Sequence, residues 1–103
     1  MKIIKCLSEK IEDELNDAQE YIDLAMRWKQ DEPDTAAVFY ELSIEEMGHV
    51  DKLHKEVVDL IDEYKGEHGD PPKDMMTLYD YLHEKHIGRA TQIKVKQGMF
   101  KAE

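Results

Sequence analysis

Apolar residues recur along this chain at steps of three and four, and no segment alternates as a strand does, so the elements it predicts are helices. The first stripe is Ile4, Leu7, Ile11, Glu14, Ala18, Tyr21, Ala25 and Trp28, one face of a helix. That helix covers about residues 5–30 and stops at Asp31-Glu32-Pro33-Asp34, because proline disfavours helix in the residue before it. Asp34 then stands where it can cap the next helix. The second stripe is Phe39, Leu42, Glu46, His49, Leu53, Val57, Leu60 and Tyr64. It predicts a helix over about residues 35–65, ended by Gly66 and the Gly69-Asp70-Pro71-Pro72 turn. A third helix, about residues 73–97, carries a less clean stripe of Met75, Leu78 or Tyr79, Leu82, His86, Ala90 and Ile93, and weakens at Gly98. No repeat or low-complexity segment divides the chain, so residues 1–103 read as a single all-α domain.

The polar interruptions of these stripes are the informative positions. Glu46 and His49 spell Glu-x-x-His in the middle of an apolar face, and Glu14 falls in phase with Ile11 and Ala18. Carboxylates and imidazoles in a core stripe are costly to bury unless something pairs with them. The short connection near Pro33 favours antiparallel neighbours. Glu14 then lies about 28 Å down one helix and His49 about 25 Å down the other, with Glu46 roughly a turn nearer the loop. All three converge on one level of the bundle. Hard carboxylate oxygens with an imidazole nitrogen suit iron or manganese, and the i, i+3 spacing lets Glu46 and His49 reach the same ion. A structural zinc site more often uses four ligands and cysteine. The competing reading is a Glu–His hydrogen bond in a slightly polar core. With 13 Glu and 5 His, about 0.6 Glu-x-x-His pairs arise by chance, so the bare pattern carries little without its phase.

Composition adds a reason to expect association. Hydrophobic residues make up 41% and charged residues 37% of 103 positions, a profile of amphipathic helices over a narrow core whose stability margin is thin. The net charge of −10 argues against nucleic-acid or anionic-membrane partners, which demand a basic face, and is compatible with attracting cations. Cys6 stands alone, so no internal disulfide forms and a reducing compartment is the default. The opening Met-Lys-Ile-Ile-Lys-Cys-Leu-Ser lacks the apolar stretch of a signal peptide, and no run reaches the length of a membrane span. The expectation is a soluble, cytoplasmic protein.

Ile11-Glu-Asp-Glu14-Leu-Asn-Asp-Ala18-Gln-Glu-Tyr21-Ile-Asp-Leu24-Ala25 resembles the first helix of the ferritin-like and rubrerythrin superfamily. Phe39-Tyr-Glu-Leu42-Ser-Ile-Glu45-Glu46-Met-Gly-His49-Val-Asp-Lys-Leu53 is similar to that family's Phe-x-x-Leu-x-x-Glu-Glu-x-x-His-x-x-x-Leu. The resemblance covers Ile11 to Leu60, about half the chain. It implies Glu14, Glu46 and His49 as ligands of a di-iron centre, with manganese or zinc as possible substitutes, and oxidation of Fe(II) by dioxygen or peroxide. A complete di-iron site takes a Glu from each of two helices and a Glu-x-x-His from each of two others. This chain holds one of each: Glu84 is followed three on by Ile87, and Asp80-Tyr-Leu-His83 is only a shortened echo. One copy therefore carries half a site, and a two-fold homodimer completes both the site and a four-helix bundle. In this the chain is similar to the dimer-forming, encapsulated-ferritin-type members. The expected architecture is a ferritin-like antiparallel hairpin plus a third helix, working as a homodimer or higher homo-oligomer. Bridging glutamates are expected to hold two ions about 3.5–4 Å apart. No Cys-x-x-Cys is present, so the rubredoxin-type iron domain of complete rubrerythrins is missing. The alternative function is a non-catalytic helical oligomerisation or interaction module with a structural Glu–His pair; iron storage is a related variant of the first.

Tyr21 and His86 are candidates beside the site, Tyr21 as a partner of a ligand and His86 as a ligand or a partner of one. Tyr21 lies two turns from Glu14, where core packing, a hydrogen bond to a carboxylate, or the electron relay suggested by the resemblance are open to it. His86 interrupts the third stripe roughly a turn and a half from the His49 level, and a hydrogen-bonded core or interface histidine is the plainer reading. His54 and His83 are expected at the surface or an interface, and His68 in the loop. Trp28 reads as a packing or interface anchor, and Met47, Met75, Met76 and Met99 as gap-fillers. Glu41 and Glu45 should face outward, and Arg89, Lys94, Lys96 and Lys101 form a basic tail for acidic partners.

Overall fold

The computed structural model describes residues 2–102. They form three helices and no strand: α1 (Lys2–Trp28), α2 (Pro33–His68) and α3 (Lys73–Ala102). α2 and α3 run further than the sequence predicts, and α1 starts earlier but stops at Trp28, short of the expected residue 30. Gly66 does not end α2 and Gly98 does not end α3. A lone glycine inside a helix costs only about 1 kcal/mol relative to alanine, which packing along a long helix outweighs. His68 belongs to the last turn of α2, not to the loop. Gly69 supplies the stop: at φ 78° it turns the chain out of the helix while its N–H bonds the Lys65 carbonyl at 3.0 Å. At the other end of α2 the cap position is Glu32, with no side-chain cap bond, and Pro33 opens the helix. Asp34 sits inside the first turn, where its charge suits the helix dipole.

The pairings give the topology. Tyr21 meets Phe39, Ala18 meets Ser43 and Glu14 meets His49, so residue numbers rise on α1 as they fall on α2, and the two helices form an antiparallel hairpin. Arg89 donates to Gln19 and Lys96 pairs with Asp23, so α3 runs parallel to α1. His54 stacks on His83 and Tyr40 on Phe100, which makes α3 antiparallel to α2. The molecule measures 56 × 19 × 17 Å. Its long dimension is close to the roughly 54 Å expected of a straight 36-residue helix, so α2 sets the length of the whole rod.

The α1 seam contains Ile4, Ser8, Ile11, Leu15, Ala18, Ile22 and Ala25, with steps of three and four that keep one edge facing its neighbours. On α2 the buried line is Ala36, Ser43, Met47, Val50, Val57 and Ile61. This corrects the sequence expectation for α2: apart from Val57, the Phe39–Leu42–Glu46–His49–Leu53–Leu60–Tyr64 stripe is not the core line. Those residues are half-exposed, and His49 is exposed. Two adjacent stripes run along this helix, and packing of α3 beside one of them decides which becomes interior.

At mid-length a polar bridge crosses the core. The buried Ser43 hydroxyl donates to the Ala18 carbonyl at 2.8 Å and accepts from Gln97 Nε2 at 2.9 Å, tying all three helices at one level. Ser43→Ala leaves the buried Gln97 amide without that acceptor. The expected loss is about 1–3 kcal/mol in a urea titration; a change under about 0.5 kcal/mol contradicts the bridge.

Candidate metal centre

Glu14 and Glu46 reach their positions because they flank the hairpin seam on the side away from α3. At roughly 100° per residue, the α1 groups that meet α3 (Glu12, Gln19 and Asp23) lie about 140–180° round the helix from Glu14. Leu7 and Tyr21 lie within about 20° of Glu14, and Phe39, Leu42, His49, Leu53 and Leu60 within about 60° of Glu46. The hairpin therefore has a second long face of half-exposed apolar side chains. Glu14, Glu46 and His49 stand in its middle.

Each of the three residues offers one ligand atom, and these atoms all lie within 4.8 Å of one another. His49 Nδ1 is 3.4 Å from Glu14 Oε2 and 3.5 Å from Glu46 Oε2. Two ligand atoms on opposite sides of a first-row cation, each about 2.1 Å from it, are about 4.2 Å apart, so this set is within a small side-chain adjustment of a shared ion. The cluster faces outward at its imidazole: the His49 side chain is 53% exposed, against 24% for Glu14 and 18% for Glu46. Glu46 Oε2 is the notable atom. It is enclosed without a hydrogen-bond partner, and 3.5 Å to the imidazole is ion-pair contact only. A carboxylate oxygen removed from water in this way calls for a cation or a strong donor.

The residues expected beside the site divide. Tyr21 is on the same face, half-buried, with its ring stacked on Phe39 at 6.3 Å; among the described residues no hydrogen bond joins it to the three ligands. His86 is elsewhere: it borders a cavity between α3 and the hairpin together with His54 and His83, on the α3 side. Glu41 and Glu45 point to solvent, and Trp28 is partly exposed with Arg27 over its ring. Arg89 and Lys96 of the basic tail are engaged within the chain, with Gln19 and Asp23.

The sequence reading missed the imidazole cluster on the α3 side. His54 sits between Val50 and Val57 at core spacing, the one signal that could have found it. No helix is long and apolar enough to cross a membrane among the described residues. No family model, curated protein or solved structure matches the chain.

Proposed function

We propose that this chain is one half of a ferritin-like di-iron protein, in which Glu14, Glu46 and His49 of two copies form a shared carboxylate–histidine centre at a two-fold interface. The observation that carries the reading is the enclosed, unpartnered Glu46 Oε2 within reach of a second carboxylate and an imidazole. The surrounding face supports it. Leu7, Tyr21, Phe39, Leu42, Leu53 and Leu60 are only half covered by their own chain, and α3 is packed on the other side of the hairpin, leaving this face free for a copy of itself. A two-fold pairing brings together two Glu14, two Glu46 and two His49, which is the ligand count of a complete di-iron site.

Bound there, iron supplies the redox chemistry, with dioxygen or peroxide as electron acceptor. The chain's own contribution is to present hard oxygens in excess over nitrogens and to neutralise the cations with carboxylates. The apolar rim excludes water once two faces close. Since one copy lacks half the ligands, activity depends on assembly. The second reading, a helical interaction module with a structural Glu–His pair, draws on the 3.4 Å contact between His49 and Glu14. It predicts no dependence on metal.

Light scattering on metal-free and iron-loaded protein, run beside aerobic Fe(II) addition followed by absorbance, separates the two. The expected result is a dimer or larger assembly in the loaded sample, and Fe(II) oxidation well above the protein-free rate. A stable monomer with iron bound removes the shared-site proposal, and oxidation at the blank rate removes the activity.

A further inference from the structure

α3 is held very unevenly. Its buried residues are Ile93 and Gln97, both in its C-terminal half. That half is also fixed by Arg89 to Gln19, Lys96 to Asp23 at 2.7 Å, and the Gln97–Ser43 bond. The N-terminal half, residues 73–88, buries no side chain fully. It stands between two cavities, about 210 Å³ on the α2 side and about 410 Å³ on the α1 side. A ring ladder joins it to α2. His54 of α2 stacks on His83 at 4.7 Å and 15°, and Tyr79 stacks on the other end of the ladder, 5.6 Å from His83. His54 stands at the spacing of the α2 seam, half-buried, and its Nε2 is enclosed with no hydrogen-bond partner.

We propose that this imidazole stack is a pH-sensitive latch: neutral rings hold residues 73–88 against the hairpin, and protonation releases that half of α3 while residues 93–102 stay docked. A neutral pair stacks face to face without repulsion, whereas a protonated His54 would repel a protonated His83 and enclose a charged N–H with no acceptor. The groups facing the stack from each helix decide whether charge is tolerated. From α2, Asp51 favours protonation of His54, but burial and His83 outweigh it and hold His54 below its ordinary 6.5. From α3, His86 is likewise held below 6.5, chiefly by burial, with Arg89, His83 and Lys85 adding to the effect and Glu12 of α1 opposing it. Tyr79 is pushed above its ordinary 10.0 by the same loss of water and by Asp80. A histidine that protonates less readily in the closed state stabilises closure fully above the open-state value, and loses that stabilisation as pH falls from about 6.5 toward the closed-state value. Acidification therefore opens the latch.

Hydrogen–deuterium exchange on the full, metal-free chain at about pH 7.5 and 5.5, corrected for intrinsic exchange, tests this. Residues 73–88 should lose protection at the lower pH, while residues 93–102 hold theirs. His54→Phe/His83→Phe keeps a stacked pair that cannot protonate, and should lose less protection on acidification than the natural chain, with His86 alone left to respond. His54→Gln/His83→Gln serves the same purpose if the aromatic pair fails to fold. Equal protection in the natural chain at both pH values, or the same loss in the non-titrating variants, overturns the latch. So does a loss that spreads equally to residues 93–102. Glu46→Gln should leave the pH response intact, which separates the latch from the metal centre.

Discussion

Glu46→Ala and His49→Ala should each strip the protein of most of its bound metal, and Glu46→Ala should also stabilise the metal-free chain. The two effects have opposite signs and one origin. Removing an outer-sphere partner of a metal ligand already weakens binding by about 10–100-fold, so removing a ligand should cost at least that; in a two-fold centre each substitution deletes two ligands at once. In the metal-free state the same carboxylate is a liability. Glu46 Oε2 is enclosed without a hydrogen-bond partner, and a group left so carries a penalty of about 1–3 kcal/mol. Truncation lifts part of that penalty, because the side chain retains 18% of its exposure and water relieves the remainder. Elemental analysis and paired melting curves with and without metal read both effects, with Glu45→Ala on the adjacent exposed position as control. A structural Glu–His pair gives the reverse pattern: unchanged metal content, and a metal-free chain less stable in both variants. Unchanged metal content in both variants would falsify the ligand assignment.

How much of this was legible in the sequence differs between the helices. On α1 the apolar spacing identified Ile4, Ile11, Ala18 and Ala25, all buried, but Leu7, Glu14 and Tyr21 of the same stripe are half-buried, Trp28 is exposed, and the buried Ser8, Leu15 and Ile22 lie off it. On α2 the spacing was ambiguous in a specific way. Phe39, Leu42, Leu53 and Leu60 form one stripe, and Met47, Val50, Val57 and Ile61 form another beside it. Periodicity shows that both sides of a helix are apolar, but not which one its own chain covers. For Glu14, Glu46 and His49 the consequence is physical. They do not lie inside a single-chain core, where three ionisable groups would be hard to keep; they line a face that only a partner or an ion could finish burying. The convergence of the three was still legible, since it depends on helix length and an antiparallel turn, and neither depends on which stripe is interior. The histidine stack was not legible, because His83 pairs with a residue 29 positions away on another helix and α3 has no clean stripe to set its rotation.

That weak stripe makes α3 the element most sensitive to one substitution, and Ile93→Ala should detach it. Ile93 is 1% exposed and is the only buried apolar side chain of the helix among the described residues. Truncating a buried isoleucine to alanine costs about 2–5 kcal/mol, depending on how far the site collapses. Against a total of about 5–15 kcal/mol for a domain of this size, that is a large fraction. At about 4–8 °C per kcal/mol, the melting point should fall by at least roughly 8 °C. Leu15→Ala on α1, fully buried, should cost a similar amount, but the damage should be distributed differently. Leu15 lies in the hairpin seam, so its loss weakens the whole chain together. Ile93 joins α3 to a hairpin that has its own seam and its own Ser43–Ala18 bond. Its loss should remove exchange protection from residues 73–102 before residues 2–68 are affected. Uniform loss across the chain in Ile93→Ala would show instead that the hairpin needs α3 to stand. The face bearing Glu14, Glu46 and His49 would then depend on a helix that touches none of them, so that opening α3 and losing the metal centre would be a single event.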